Sequence, residues 1–138
     1  MTENKKENLN NRMIKFLFEG APVRGACVQM AEEWQEMIKF HHYPENVAAL
    51  LGQFTAGALL LSSTIKFEGS LILQVKGSGP IAFIYAEVRN PMSVRAMAEI
   101  REGAEIKPEM DLQELINKDG KGLCALILDP KDRRPGVQ

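Results

Sequence analysis

The chain has 138 residues, of which 45% are hydrophobic and 25% charged, and its net charge is −1. One domain of this length buries a sizeable core, and the near-balance of acidic and basic side chains argues against a nucleic-acid binder that relies on phosphate contacts. The polar first twelve residues do not form a secretory signal, and no apolar run reaches the roughly 20 residues of a membrane span, so we predict a cytoplasmic protein.

The N-terminal segment predicts two strands after a flexible lead-in over residues 1–12. Met13–Phe18 is apolar at alternate and intervening positions, which is typical of a strand buried on both faces. A second strand is predicted over Val23–Met30, where Gly25 indicates a β-bulge or a close backbone approach. Glycine is costly in a strand, so its presence here indicates that the bulge or the close packing requires it. We therefore expect Gly25→Val to destabilise the fold by more than about 0.5 kcal/mol.

Two helices follow in the sequence. Helix-forming residues around an apolar stripe predict a helix over Ala31–Phe40, which ends before Pro44. The stretch from Glu45 to about Thr64 is mostly apolar and contains few polar residues. A helix without a polar stripe is expected to be buried between other elements.

The rest of the chain predicts strands. Ser70–Lys76 and Ile81–Val88 flank the Gly77–Pro80 turn and read as an antiparallel pair. The remaining predicted elements are a strand over Ser93–Arg101, a short helix over Leu112–Asn117 with a capping box from Asp111 to Glu114, and an apolar strand over Gly122–Leu128. We therefore predict a single α/β (α+β) domain over residues 13–138, with a mainly antiparallel sheet packed against a long buried helix.

The C-terminal end predicts an unfinished hairpin. Asp129–Arg134 has the composition of a hairpin loop, and four residues follow it. An unpaired strand at Gly122–Leu128 would be prone to aggregation. We expect that the chain is incomplete at its C-terminal end, or that this strand pairs with another molecule.

The two cysteines, Cys27 and Cys124, are far apart in the sequence and match no metal-ligand or redox spacing. We predict two small buried thiols in a reducing compartment. An intramolecular redox switch is therefore not expected in this chain.

The polar residues that could support chemistry have structural interpretations. The Gly77–Pro80 turn leads into a strand, whereas a phosphate-binding glycine loop leads into a helix. His41 and His42 lack other ligands at metal spacing, and the Ser62–Thr64 hydroxyls lack a nearby base. Arg24 is predicted to pair with an acidic side chain or to lie at the surface, and Arg89 and Arg95 are predicted to be solvated. We predict no catalytic residue and no metal ligand.

Several short motifs, in order, resemble the N-terminal part of the heat shock protein 33 family of bacterial redox-regulated holdase chaperones. They include Phe16-Leu17-Phe18, Val23-Arg24-Gly25, Tyr43-Pro44, Leu51-Gly52, Leu60, Thr64, Lys66-Phe67, Gly69, Gln74 with Gly77-x-Gly79-Pro80, Arg95-Ala96 and Asp111-Leu112-x-x-Leu115. The resemblance extends from Met13 to Val137.

The resemblance implies a core domain with a twisted antiparallel sheet, commonly a homodimer, that binds unfolding client proteins without ATP. It also implies a C-terminal zinc module with four cysteines in a CxC and a CxxC pair, and those positions are missing from this chain. Zinc is therefore expected only in that module, and Cys27 and Cys124 do not replace its ligands.

Two other functions remain open from the sequence. A small-ligand enzyme domain would use the Gly77–Pro80 loop and Arg24, and a structural dimerisation module would form a dimer without chaperone activity. The seven methionines could adapt to varied clients or fill the core. The sequence names no client-binding residue.

Overall fold

The computed structural model describes residues 11–65, 68–89 and 93–131. In these residues every predicted element is confirmed to within two residues at each end. In chain order the elements are β1 (Asn11–Leu17), β2 (Arg24–Met30), α1 (Glu32–Lys39), α2 (Glu45–Ser62), β3 (Gly69–Lys76), β4 (Ile81–Arg89), β5 (Ser93–Ile100), α3 (Leu112–Ile116) and β6 (Leu123–Pro130). Because β1 begins at Asn11, it overlaps the predicted lead-in, whose first ten residues lie outside the described ranges.

The strands form two sheets, and every strand pair is antiparallel. β1 and β2 make a two-stranded sheet, and the other strands make a four-stranded sheet in the order β5-β4-β3-β6. The antiparallel α/β fold is thus confirmed, with the strands divided between two sheets rather than joined in one.

Helix α2 organises the core because it contacts both sheets. Its N-terminal half buries Val47 and Leu51 against Ile81, Ile84 and Leu115. Its C-terminal half places Ala58 and Leu59 in a second cluster with Leu71, Ala86 and Val88. The prediction of a buried helix is confirmed for this side, whereas Gln53 and Leu61 on α2 are exposed.

The Gly77–Pro80 turn joins β3 to β4, as predicted, and packs closely against α3. A Cβ atom built on Gly79 would lie 2.7 Å from the carbonyl oxygens of Glu114 and Leu115. The Arg101 side chain donates hydrogen bonds to the carbonyl oxygens of Gly77 and Gly79, at 3.0 and 3.3 Å. The glycines therefore allow tight packing of a hairpin turn.

The short helix α3 begins as the capping pattern predicts. The Asp111 side chain accepts a hydrogen bond from the Glu114 backbone N–H at 2.9 Å, which satisfies one of the free donors of the first helical turn. This cap fixes α3 over the glycine turn.

Strand β6 pairs with β3 over its whole length, from Leu123 opposite Lys76 to Pro130 opposite Gly69. The expectation of an unpaired strand is therefore wrong for one edge of β6. Asp129 and Pro130 belong to the strand rather than to a loop, and Lys131 follows the strand as an exposed bend. The other residues of the predicted hairpin loop, 132–134, lie outside the described ranges. Within the described residues, no helix is both long and apolar enough to cross a membrane.

Candidate functional site

The β1–β2 hairpin is anchored to the core at its base. Met13, Val28 and Met30 pack against the cluster that contains Ala58 and Leu59 of α2. Met13 lies opposite Val28 in the strand register, so both side chains project from the same face of the hairpin. This contact holds the hairpin in place and leaves its other end free to project.

Towards the turn the hairpin exposes large apolar side chains, and the prediction that β1 is buried on both faces is wrong here. Exposed fractions reach 80% for Leu17 and 55% for Phe18. The Phe16 and Phe18 rings contact each other edge to face, with centroids 5.7 Å apart. We call this surface the hairpin patch; its members are Ile14, Phe16, Leu17, Phe18 and Val23.

Gly25 makes the Phe16 position possible. The β1–β2 register is continuous, so the bulge that Gly25 could indicate is absent, and its close-approach alternative is confirmed. A Cβ atom on Gly25 would collide with the Phe16 ring, whose Cε2 atom would lie 2.5 Å away. The ring therefore lies over the bare backbone of β2.

A second apolar surface lies on β6. Its members are between 40% and 64% exposed and comprise Leu123, Leu126, Ile127 and Leu128. We call it the β6 patch. One edge of β6 pairs with β3, while the other edge pairs with no strand in the part of the chain that the structure describes. Free backbone donors and acceptors flanked by apolar side chains form a template for association.

The structure does not bring together the two parts of the hypothetical enzyme site. Arg24 lines a cleft of about 630 Å³ between the hairpin and the end of α2. The lining of this cleft includes no residue of the Gly77–Pro80 turn, which instead contacts α3. Two distant features of the sequence thus have separate structural roles.

The prediction that Arg89 and Arg95 are solvated is incomplete, because both form ion pairs with the buried carboxylate of Glu87. The Arg95 Nη2 atom lies 2.6 Å from Glu87 Oε2, and the Arg89 Nε atom lies 3.1 Å from Glu87 Oε1. The Arg95 hydrogen bond lowers the pKa of Glu87, although desolvation opposes it, and Arg89 lowers it further. The cluster stabilises the sheet face from which Glu87 projects.

His41 and the hydroxyls at the end of α2 also have structural partners. His41 stacks on Tyr43, with ring centroids 5.3 Å apart, and the Tyr43 hydroxyl accepts a hydrogen bond from the Ala98 N–H. The hydroxyls of Ser62, Ser63 and Thr64 each donate to the carbonyl three residues earlier. They therefore terminate α2, in agreement with the structural interpretation.

The cysteines are exposed, so the prediction of buried thiols is wrong. Cys27 lies on β2 and Cys124 on β6, and both are free. Each lies in a strand with one surface that no other described element covers. The prediction rested on the usual burial of cysteine and could not include this lack of cover. The described ranges contain no group of three potential His, Cys, Asp or Glu metal ligands.

Comparison of the sequence with known proteins identifies a family. The sequence model of the family described as "Hsp33 protein" matches residues 11–137. A protein named 33 kDa chaperonin from Neisseria gonorrhoeae (strain NCCP11945) is 39% identical over 128 residues, which are 93% of this chain and 42% of the relative. Proteins of the same name from Aliivibrio salmonicida and Shewanella woodyi are 38% and 35% identical, over 89% and 92% of this chain and 40% and 41% of their own lengths. The chain thus spans about two-fifths of these relatives.

Proposed function

The chain belongs to the Hsp33 family, and we propose that it is the client-binding core of an ATP-independent holdase chaperone. The observation that carries this proposal is the hairpin patch, where large apolar side chains stay exposed on a hairpin whose base is fixed to the core. The name of the relatives, 33 kDa chaperonin, supports the same function. The clients are unfolding proteins in the cytoplasm.

The mechanism is passive capture. An unfolding client exposes apolar side chains, and contact with the hairpin patch removes both surfaces from water. Each large apolar side chain that becomes fully buried contributes about 1.5–3 kcal/mol, so a few such contacts suffice for reversible binding. Apolar contacts do not require a specific orientation, so one surface can bind varied clients. None of the five described methionines belongs to the hairpin patch, and three of them, Met13, Met30 and Met110, pack against the core.

We propose that the β6 patch mediates self-association and does not bind clients. A second copy that pairs along the free edge of β6 would cover both the backbone groups and the apolar side chains around them. The proposed assembly is a homodimer. Zinc is not part of this proposal, since Cys27 and Cys124 lie on different sheets.

The test is aggregation of a thermally unfolding client, followed by light scattering with and without this chain and without nucleotide. The proposal predicts that scattering falls in proportion to added chain. A dimer that leaves client scattering unchanged would identify a structural dimerisation module and contradict the proposal. Turnover of a small ligand without protection of the client would favour the enzyme alternative.

A further inference from the structure

The cleft beside the hairpin patch carries two cationic side chains next to apolar ones. Met13 and Val28 project from the hairpin face that packs on α2, and strand alternation places Lys15, Arg24 and Ala26 on that same face. Nearer the turn, this face therefore carries two cations, Lys15 and Arg24, beside the apolar Ala26 and Leu17. Lys15 and Arg24 line the cleft together with Phe16, Leu17 and Leu60.

Neither cation has a partner in the described residues. Neither the Lys15 nor the Arg24 side chain makes a hydrogen bond or an ion pair within those ranges. An arginine and a lysine that face the same cleft repel each other, and this repulsion falls when an anion binds between them. Both cations are exposed to solvent, and an acidic group that enters the cleft gains a modest attraction from each of them.

The end of α2 does not supply that charge. A helix C-terminus attracts cations through its free carbonyl groups. Here the hydroxyls of Ser62, Ser63 and Thr64 donate to the carbonyls three residues earlier, at 2.7, 2.6 and 2.8 Å. These carbonyls accept from the helix's own hydroxyls and receive no hydrogen bond from Lys15 or Arg24 within the described residues, so the cations of the hairpin remain available.

We propose that this cleft binds extended client segments in which an acidic side chain adjoins large apolar residues. The apolar side chains contact Leu17 and Leu60, and the carboxylate lies between Lys15 and Arg24. A cleft of about 630 Å³ accommodates several side chains of an extended peptide, in the size range of ligand sites. This inference rests on the proposed holdase function and adds a preference of the client-binding surface for negatively charged segments.

The experiment uses the 138-residue chain and three labelled peptides with the same leucines and phenylalanines, which differ by carrying aspartate, asparagine or lysine at one central position. Binding is measured by fluorescence anisotropy at low ionic strength. We expect the aspartate peptide to bind about fivefold more tightly than the asparagine peptide, and the lysine peptide to bind most weakly, as for exposed ion pairs.

Matched variants locate the preference. Lys15→Ala with Arg24→Ala removes two cations from the cleft, and Lys107→Ala with Lys118→Ala removes two exposed cations elsewhere. The first pair should equalise the aspartate and asparagine peptides without weakening the asparagine peptide, and the second should keep the fivefold ratio. An equal effect of both pairs would overturn the inference, because net charge would then explain the preference.

Other outcomes separate this inference from the proposed function. Equal binding of all three peptides, or no peptide binding by a chain that still suppresses client aggregation, overturns the inference alone. If the chain neither binds the peptides nor suppresses client aggregation, both the proposed function and the inference are overturned. Binding of dodecanoate in the cleft that the aspartate peptide fails to displace would assign the cleft to a small amphiphile instead.

Discussion

The Trp34 indole lies against the bare Cα of Gly52 and thereby docks α1 onto α2. Its Nε1–H donates a hydrogen bond to the Ala48 carbonyl oxygen at 3.1 Å. A Cβ atom on Gly52 would lie 2.7 Å from the indole Nε1 and 2.9 Å from Cδ1. This helix pair therefore depends on a glycine in the middle of a helix, where alanine would otherwise be favoured by about 1 kcal/mol.

We predict that the effect of Gly52→Ala changes sign with residue 34. In the natural chain, alanine displaces the indole and breaks its hydrogen bond, and we expect a loss of about 1 kcal/mol of unfolding free energy or more. In a Trp34→Ala background the same substitution should stabilise the helix, because the collision is gone. Urea unfolding of the four chains of this double-mutant cycle measures the coupling. Purely additive effects would show that the contact does not restrict position 52.

The Glu87 cluster predicts a pH dependence. Because its arginines lower the folded-state pKa of Glu87, the carboxylate stabilises the fold above its unfolded pKa, about 4.3, and this contribution is lost as the pH falls through the folded pKa. Glu87→Gln should lower the unfolding free energy by about 1–2 kcal/mol at pH 7. The difference from the natural chain should shrink below about pH 4. Glu99→Gln, at an exposed position of β5, is the control and should change stability little.

The exposed cysteines predict accessible thiols and no internal switch. We expect a thiol reagent to modify both Cys27 and Cys124 without denaturant, since both are exposed. Mild peroxide, reductant or a zinc chelator should leave client protection unchanged, and so should serine at both positions. Protection that rises several-fold on oxidation and returns on reduction would contradict this prediction, as would stoichiometric zinc in the purified chain.

The β6 patch predicts self-association through a defined edge. Leu126→Lys places a charge on an exposed position of this strand and should shift the chain towards monomer. The second copy would have to remove this cation from water when it covers the edge. Leu112→Lys, at an exposed position of α3, is the matched control. Light scattering at micromolar concentration distinguishes the two. A natural chain that is already monomeric would contradict the assignment.

The sequence predicted the elements well because local patterns determine them. The period of two in β3, the glycine turn after it and the Asp111 cap all appear where their patterns place them. Tertiary contacts decide the rest. An apolar strand such as β1 has the same composition whether it is covered on both faces or projects as a hairpin, and so its exposure could not be predicted.

The candidate site was missed for the same reason. Phe16-Leu17-Phe18 was visible as part of a family motif, whereas its exposure depends on where the hairpin leaves α2. The pairing of Glu87 with Arg95 joins neighbouring strands across the sheet, and it requires the β4–β5 register that the structure provides. Opposite charges at cross-strand positions would have been the signal, once that register was known.

The measurement that tests the account most directly compares two double variants in the client-aggregation assay. Leu17→Ser with Phe18→Ser removes one leucine and one phenylalanine from the hairpin patch, and Leu112→Ser with Phe40→Ser removes the same residue types from exposed positions elsewhere. The melting temperature of each variant first establishes that it is folded. We predict that the hairpin variant loses protection at least several-fold, because each lost contact is worth about 1.5–3 kcal/mol when buried, while the control protects as the natural chain does. Equal protection by both variants would contradict the claim that the hairpin patch captures clients.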